Sequence, residues 1–238
     1  MGRSNTEKPL PNYRGLTIPY VSFGNVSSDD LFADKEQALF DFYAANSDRY
    51  RRVLDIGANI GVHSILMARQ DWQVCAFEPD HNHFHHLCRN LELNGVDALV
   101  ERHNMAVSDH DGVETFVRVK GNTTGSHLKG DKKPYGELDE FEVLVSDCRP
   151  LFAWADFCKM DCEGHEARLL KTVSHETRCE FMVEVGNEQN AEAIFKHFQG
   201  WRGMWAQKSG WKPVMRLADM PSHHSYGSLF IGQEPPFK

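Results

Sequence analysis

The sequence predicts an α/β domain built on a mostly parallel β-sheet. Short apolar segments alternate with amphipathic ones over residues 50–104 and again over 155–198, which is typical of βαβ units. A glycine-containing turn follows the first apolar segment, where a strand would pass into a helix. The chain has 238 residues, of which 41% are hydrophobic, so a single domain with a sizeable core is expected.

The first 49 residues are predicted to precede the alternating units and to cover one end of the core. Residues 1–12 are polar and are expected to form a flexible arm. Residues 13–27 contain short β-like pieces, and apolar residues recur at helical spacing over residues 29–46. We therefore predict a single domain over residues 13–238, with residues 13–49 as its N-terminal cover.

The cofactor-binding core is predicted to span residues 50–185, where strands and helices alternate. Neighbouring parallel strands are joined by right-handed crossover connections, so each predicted helix should connect two strands of one sheet. The strands are predicted at 52–56, 73–78, 98–104, 155–160 and 181–185, and the helices at 61–69, 80–94, 164–173 and 190–198.

Two departures from this alternation complete the predicted fold. Residues 113–119 and 141–145 read as strands joined by a polar loop, which indicates an inserted β-hairpin. Two late strands, at 212–217 and 228–231, have no clear helix between them, so they are predicted to close the sheet as an antiparallel pair. The expected result is a mostly parallel seven-stranded sheet with an antiparallel last strand. Residues 186–238 would form its substrate side.

Composition excludes several classes of partner. Lys and Arg number 26 against 34 Asp and Glu, so a net charge of -8 gives no general attraction to phosphate backbones, and no nucleic-acid partner is expected. No apolar run approaches the roughly 18 residues needed to span a bilayer. The six cysteines form no CxxC pair, which favours buried thiols in a reducing compartment. We therefore predict a cytoplasmic location.

The segment VLDIGANIG, residues 53–61, marks a candidate ligand-binding turn. Gly57 and Gly61 allow the backbone to turn sharply and to approach a ligand closely. Asp55, at the carboxyl end of the strand, could accept hydrogen bonds from an ammonium group, and His63 would pack near the ligand. The G-x-x-x-G spacing disfavours the G-x-G-x-x-G dinucleotide motif. A plain tight turn is the alternative interpretation.

Two further segments predict the remaining parts of an adenosine site. Glu78 ends the next strand about 20 residues beyond the glycines, the position of an acid that binds ribose hydroxyls. It could instead cap the following helix. In NMAVSD, residues 104–109, Asn104 and Ala106 are candidates to flank an adenine, although an ordinary turn explains these residues equally well.

The segment KMDCEGHE, residues 159–166, places a carboxylate at the end of the fourth predicted parallel strand. Asp161 would face the crevice in which ligands bind in open α/β sheets. Glu163 and Glu166 begin the next helix, where at least one of them is expected to serve as a helix-end residue.

Taken in order, VLDIGANIG, AFEPD, NMAVSD and KMDCEGHE resemble the FkbM-type methyltransferase family over residues 50–185. The resemblance implies a Rossmann-like class I methyltransferase fold and S-adenosylmethionine as cofactor. It also implies transfer to a hydroxyl oxygen of a sugar, glycan or polyketide-like natural product. The predicted cofactor contacts are Asp55, Gly57, Ala58, Asn59, Gly61, His63, Glu78, Asn104, Ala106 and Asp161.

The general base is left open by the sequence. A sugar hydroxyl is a poor nucleophile, so a base would assist transfer, and the candidates are His165, Asp161, Glu163 and Glu184. The three carboxylates could instead hold Mg²⁺, but their spacing reproduces no recognised metal motif, and no metal site is predicted. A peptide or nucleic-acid N-methyltransferase and a non-catalytic cofactor-binding scaffold are the alternative functions.

Overall fold

The computed structural model describes residues 13–133, 135–207, 210–221 and 227–237. The predicted flexible arm, residues 1–12, lies outside the described residues. The α-helices are α1 (Asp34–Ala45), α2 (Val62–Ala68), α3 (His81–Leu93), α4 (Cys148–Trp154), α5 (Glu166–Leu170) and α6 (Glu188–Phe198). The strands are β1 (Arg52–Ile56), β2 (Gln73–Phe77), β3 (Val100–His103), β4 (Ala106–Ser108), β5 (Gly112–Val119), β6 (His127–Leu128), β7 (Leu138–Asp147), β8 (Phe157–Met160), β9 (Glu180–Glu184), β10 (Gly203–Gln207), β11 (Trp211–Pro213) and β12 (Ser228–Gly232).

A central sheet confirms the predicted α/β class. Its strand order is β11-β10-β12-β9-β8-β1-β2-β3. The five strands from β9 to β3 are parallel, and β12 lies antiparallel to both β9 and β10. Because parallel strands end at the same edge, β1, β2, β8 and β9 bring their carboxyl ends together there.

The carboxyl-terminal part of the sheet differs in detail from the prediction. The sheet has eight strands rather than seven, and the two predicted late strands do not pair with each other. Strand β10, which the sequence did not predict, lies between β11 and β12. In β10, half-buried residues alternate with the buried Met204 and Ala206. This alternation is short and lies among tryptophans, so it does not stand out in the sequence as a strand. Beside it, the strand predicted at 212–217 shortens to β11 at the sheet edge.

The predicted insertion is present and forms a small second sheet, in the order β4-β7-β5-β6. Strands β5 and β7 pair antiparallel over eight residues, which is the predicted hairpin. The segment NMAVSD, expected to be a turn, contributes β4, which runs parallel to β7. Five buried residues form the core of this sheet: Ala106, Phe116, Leu128, Val143 and Val145.

The N-terminal cover packs against the central sheet through aromatic rings. In α1, Phe42 and Tyr43 are fully buried, and both contact Phe157 of β8. The indole nitrogen of Trp72 donates to the carbonyl of Ser47 at 2.9 Å, which fixes the chain just after α1. Because each buried large apolar side chain contributes about 1.5–3 kcal/mol, this interface anchors the C-terminal half of α1 against the start of β8.

All six cysteines are free, and none of them forms a disulfide. Among the helices formed by the described residues, none is long and apolar enough to cross a membrane.

Candidate active site

Two adjoining cavities lie at the carboxyl edge of the central sheet. The first cavity lies between β1, β2 and the second sheet. The second cavity lies between β8, β9 and the N-terminal cover. Gly57, Asn59 and Asp161 line both cavities. The sequence-predicted turn and strand end therefore meet at the junction of the two cavities.

Glycine is required at position 57 by both conformation and space. Gly57 has a φ of +77°, and a Cβ atom there would lie 1.8 Å from the carbonyl oxygen of Asp161. The amides of Gly57 and Ala58 donate to the carbonyl of Phe77 at 3.0 and 2.9 Å, which joins the turn to β2. Gly61, at a φ of +88°, starts α2 with its Cα close to Leu87 of α3. The turn thus brings β1, β2 and β8 together beneath the cavity junction.

The carboxylate of Glu78 lies in the wall of the first cavity. Its two oxygens accept hydrogen bonds from the amides of Asn59 and Asp80, both at 2.8 Å. Burial raises the pKa of Glu78 to about 8, although these amide hydrogen bonds oppose the shift. Since each carboxylate oxygen has a further acceptor site, Glu78 can still accept hydrogen bonds from a ligand.

Asn59 presents a buried polar atom to the same junction. The residue has a φ of +52°, a left-handed conformation that asparagine tolerates better than most residues. Its side-chain Oδ1 is buried and has no hydrogen-bond partner among the described residues. A buried amide oxygen without a partner is unfavourable, so this atom is available to a ligand that donates a hydrogen bond.

Asp55 lies beneath the cavities and lines neither of them. Its side chain is fully buried, and its Oδ2 accepts a hydrogen bond from the Ser64 hydroxyl at 2.5 Å. Its Oδ1 lies 3.7 Å from the Nζ atom of Lys159. In the described structure, Asp55 therefore faces a lysine of the protein, and its predicted direct contact with a cofactor ammonium stays a prediction.

Lys159 is the central charge of the second cavity. Its Nζ donates to the carbonyl of Gly57 at 3.3 Å and lies 3.7 Å from Asp161 Oδ2. Burial alone would lower the pKa of Lys159, but four surrounding carboxylates together raise it above the ordinary value. Their contributions decrease in the order Asp161, Asp55, Glu36 and Glu184. One buried ammonium group thus lies among four carboxylates.

Glu184 lies at the end of β9 in the second cavity. Burial and the neighbouring Asp161 raise its pKa to about 8, while the ammonium of Lys35, 3.8 Å away, opposes the shift. Glu36 of α1 lies in the same cavity and contacts His63 Nε2 at 3.4 Å. The other ring nitrogen of His63 is hydrogen-bonded to Tyr43 at 2.9 Å, so both nitrogens already have partners.

Two of the four candidate bases are held by the loop over residues 120–137. His165 is 1% exposed; its Nδ1 lies 2.8 Å from Asp131 Oδ2 and its Nε2 lies 3.2 Å from the Ser108 hydroxyl. Glu163, at a φ of +55°, forms an ion pair with Lys132. Both side chains line the first cavity. The polar atoms of His165 and Glu163 are therefore engaged by other residues of the protein.

The loop over residues 120–137 covers the first cavity. Thr123, Thr124 and Ser126 line it, together with Leu128 of β6. The amide of Thr123 donates to the carbonyl of Phe23 at 2.9 Å, which connects the loop to the N-terminal cover. The cavity is therefore enclosed on this side by hydroxyl groups as well as apolar walls.

The structure separates the two candidates in NMAVSD. Ala106 lines the first cavity. Asn104 does not; its side-chain amide donates to the carbonyls of Glu78 and Pro79 at 2.8 and 3.2 Å. Asn104 thus holds the connection between β2 and α3 in shape, which in turn positions the Glu78 carboxylate.

Several site residues were not predicted from the sequence. Lys159 could have been identified from the sequence, because a charged residue between Cys158 and Met160 in a buried strand needs partners of opposite charge. Glu36 could not have been identified in this way, since its role depends on where α1 packs. Asp80 and Arg118 form a buried pair with two 2.6 Å hydrogen bonds, which joins α3 to β5 beside the first cavity.

The alternative magnesium site is not assembled in the described part of the chain. The ligand atoms of Asp161, Glu163 and Glu184 do not all lie within 4.8 Å of one another. Lys132 and Lys35 each lie against one of these carboxylates, Glu163 and Glu184 respectively. The positive charges that surround this trio belong to lysines of the protein itself.

Comparison with known proteins adds a family match. The model of the FkbM methyltransferase domain matches residues 55–207. No curated protein matches the chain significantly.

Solved structures resemble the chain at low identity. The O-methyltransferase TomG from Streptomyces achromogenes, in complex with S-adenosylmethionine, is 14% identical, covers 85% of this chain and 82% of its own, and has a TM-score of 0.47. An O-methyltransferase from Bacillus cereus is 11% identical, with 82% and 79% coverage and a TM-score of 0.44. An RNA methyltransferase from Salinibacter ruber is 10% identical, with 84% and 89% coverage and a TM-score of 0.43.

Proposed function

Because the chain belongs to the FkbM methyltransferase family, we propose that it transfers a methyl group from S-adenosylmethionine to a hydroxyl oxygen. The family assignment rests on a match over residues 55–207, which is more than half of the chain. S-adenosylmethionine is the methyl donor that the family implies. The acceptor we propose is a sugar, a glycan or a polyketide-like natural product.

The residues of the two cavities fit this cofactor, and one observation carries the proposal. At the junction, the partnerless Oδ1 of Asn59 and the carboxylate of Glu78 form one wall, while the second cavity holds several carboxylates. The apolar side chains of Ile56, Phe77 and Val107 in the first cavity suit an uncharged adenosine. The carboxylates of Asp80 and Glu163 in that cavity are already paired with Arg118 and Lys132. The anionic second cavity suits a sulfonium and an ammonium group.

S-adenosylmethionine, when bound, supplies a methyl group on a positively charged sulfur. The residues of this chain would then orient the acceptor and take up its proton. Asp161 lies at the junction, where an acceptor oxygen would meet the methyl group, and correct alignment there supplies much of the rate. We propose Glu184 as the base, since its raised pKa of about 8 is close to the value that suits proton uptake near neutral pH.

Two observations support the choice of Glu184 over His165. The His165 ring has both nitrogens in hydrogen bonds to residues of the protein. Glu184 has Lys35 as its ion-pair partner at 3.8 Å, a distance that leaves its oxygens able to accept a proton. Glu163 is engaged by Lys132.

We keep a cytoplasmic location and the absence of a nucleic-acid partner as predictions, supported by six free thiols and the net charge of -8.

Calorimetric titration with S-adenosylmethionine and its demethylated product tests the cofactor assignment. We expect Glu78→Gln to weaken binding about 10- to 100-fold, because the amide group of glutamine turns a donor toward the backbone amide of Asn59 or Asp80 and leaves one oxygen to accept hydrogen bonds. The matched control is Glu92→Gln, on an exposed turn of α3, which should bind as the wild type does. If Glu78→Gln and Glu92→Gln both kept micromolar binding of S-adenosylmethionine, the first cavity would not be the one that holds the ribose.

A methyl-labelled donor tests the acceptor assignment. The enzyme would be incubated with pools of hydroxylated metabolites and oligosaccharides, and the labelled products identified by mass spectrometry. Label on a hydroxyl oxygen is the expected outcome. Label on nitrogen in peptides or RNA, with intact cofactor binding, would overturn the proposed acceptor while leaving the cofactor assignment in place.

A further inference from the structure

Three side chains with metal-binding atoms meet on one face of the central sheet, at the edge formed by β3. Cys75 of β2 lies directly opposite Glu101 of β3 in the parallel register. Because alternate residues of a strand point to the same face, His103 lies on that face as well. The Cys75 sulfur, a Glu101 oxygen and a His103 nitrogen lie within 4.8 Å of one another. No other group of three such ligands occurs in residues 13–133, 135–207, 210–221 and 227–237.

The donor set of this group has a defined chemical preference. A thiolate sulfur, an imidazole nitrogen and a carboxylate oxygen are the ligand types that Zn²⁺ takes in proteins. Mg²⁺ and Ca²⁺ prefer oxygen alone and are disfavoured by the thiol. Three protein ligands leave a fourth tetrahedral position for water.

The surroundings allow a cation to enter and hold two of the ligands in place. The side chains of Glu101 and His103 are 69% and 31% exposed, and they already lie together, with His103 Nε2 3.2 Å from Glu101 Oε1. The His103 ring stacks on Phe77 at 4.7 Å and 16°, which limits its rotation. Only Cys75 is buried, at 8% exposed, so the site opens toward the solvent through β3.

We propose that Cys75, Glu101 and His103 form a binding site for Zn²⁺ or a divalent cation of similar softness. On binding, the Cys75 thiol releases its proton to solvent and forms a sulfur–metal bond, while His103 and Glu101 donate lone pairs. No oxidation or reduction takes place.

This site is separate from the cofactor cleft but adjoins its adenosine half. Cys75, Glu101 and His103 line neither cavity, whereas Phe77, against which His103 stacks, lines the first. The amide of Glu78 donates to the His103 carbonyl at 3.1 Å. The proposal depends on the ligand geometry alone and does not rest on the proposed methyl transfer.

Titration of the full-length, reduced protein with Co²⁺ tests the proposal directly. Co²⁺ occupies zinc sites, and a bond to thiolate gives a near-ultraviolet charge-transfer absorption that nitrogen and oxygen ligands do not give. We expect this absorption to appear with one equivalent of Co²⁺ and to disappear when Zn²⁺ is added in competition. No absorption, or cobalt binding without the thiolate band, would overturn the proposal.

Variants identify the ligands. Cys75→Ser should abolish the charge-transfer absorption, and Cys88→Ser, which changes a half-buried cysteine on α3, should leave it unchanged. His103→Phe keeps a ring stacked on Phe77 but removes the nitrogen, and Glu101→Gln changes an exposed side chain, so both should fold and bind Co²⁺ at least about tenfold more weakly. An unchanged band in Cys75→Ser, or unchanged affinity in both of the other variants, would contradict the assignment.

Discussion

The two cavities of the cleft share three residues but differ in how they are built. The first cavity combines apolar walls and hydroxyl groups with the carboxylates of Glu78, Asp80, Glu163 and the shared Asp161. Backbone amides hold Glu78, Arg118 pairs with Asp80, and Lys132 pairs with Glu163. In the second cavity, Glu36, Asp161 and Glu184 lie around the ammonium group of Lys159. Each carboxylate that lines only the first cavity thus has its own partner, whereas the carboxylates of the second cavity lie around one buried lysine.

This difference indicates how each half would discriminate its part of the ligand. A cavity whose carboxylates are already paired favours an uncharged ring with hydroxyl groups, because buried polar atoms must be matched. A cavity in which several carboxylates lie around one lysine favours a cation, since added positive charge relieves the repulsion among the carboxylates. In our proposal, the uncharged adenosine of the cofactor would occupy the first environment and its cationic sulfonium end the second.

The largest expected effect comes from removing the central charge of the second cavity. Lys159→Met leaves the buried carboxylate of Asp55 and the half-buried one of Asp161 without their ammonium partner, and we expect the free energy of unfolding to fall by about 3–5 kcal/mol. Chemical denaturation measures the change. The control is Lys129→Met, which breaks an exposed pair with Glu140 and should cost less than about 1 kcal/mol. Equal losses in both variants would mean that the second cavity is not organised by charge.

Gly57→Ala tests the junction that both cavities share. The added Cβ atom would overlap the Asp161 carbonyl in a left-handed conformation, and we expect a loss of stability of about 2–4 kcal/mol, together with loss of cofactor binding. Gly95→Ala is the matched control: its φ is +65°, but the new atom meets nothing within 4 Å, so about 1 kcal/mol is expected. Denaturation and calorimetry report the two effects, and intact binding in Gly57→Ala would contradict the shared junction.

His165→Ala tests whether hydrogen bonds organise the covered first cavity. Removing the ring leaves the Asp131 carboxylate without its partner, whereas Ser108 keeps its hydrogen bond to Glu114, so we expect a loss of about 1–3 kcal/mol and faster amide hydrogen exchange over residues 127–133. His85→Ala, on an exposed position of α3, should change neither quantity. If turnover falls while stability and exchange remain those of the wild type, the imidazole acts as a base rather than in positioning the loop.

A pH dependence of the stability is expected from Glu184. Its pKa of about 8 exceeds the 4.5 of an ordinary glutamate, so the folded protein binds more protons between these values, and its free energy of unfolding falls as pH rises across that window. Glu184→Gln removes this contribution, so relative to the wild type the variant should gain about 1.4 kcal/mol of stability for each pH unit within that window. Glu142→Gln, an exposed control, should follow the wild type throughout. A constant difference between Glu184→Gln and wild type at all pH values would show that Glu184 does not titrate in this window.

Residues that directly follow a buried strand could be predicted from the sequence, whereas their partners in space could not. The glycine turn, Glu78 and Asp161 were predicted because each follows a buried strand, and the carboxyl ends of parallel strands must meet. His165 was predicted as one of four candidate bases from its position after a strand, and that role stays a prediction; the structure adds that its ring lies between Asp131 and Ser108. No local pattern could show this, because those partners lie 34 and 57 residues away.

The sequence alone determined the fold class and the edge of the sheet at which a cofactor would bind. Both follow from the order of strands, glycines and carboxylates along the chain, because strand period, helix period and turn conformation are properties of neighbouring residues. The tertiary structure alone decided which carboxylates face Lys159, that α1 supplies Glu36 to the second cavity, and that Cys75 lies against Glu101 and His103. Charge, burial and metal coordination depend on distances between segments far apart in the chain, and only packing sets those distances.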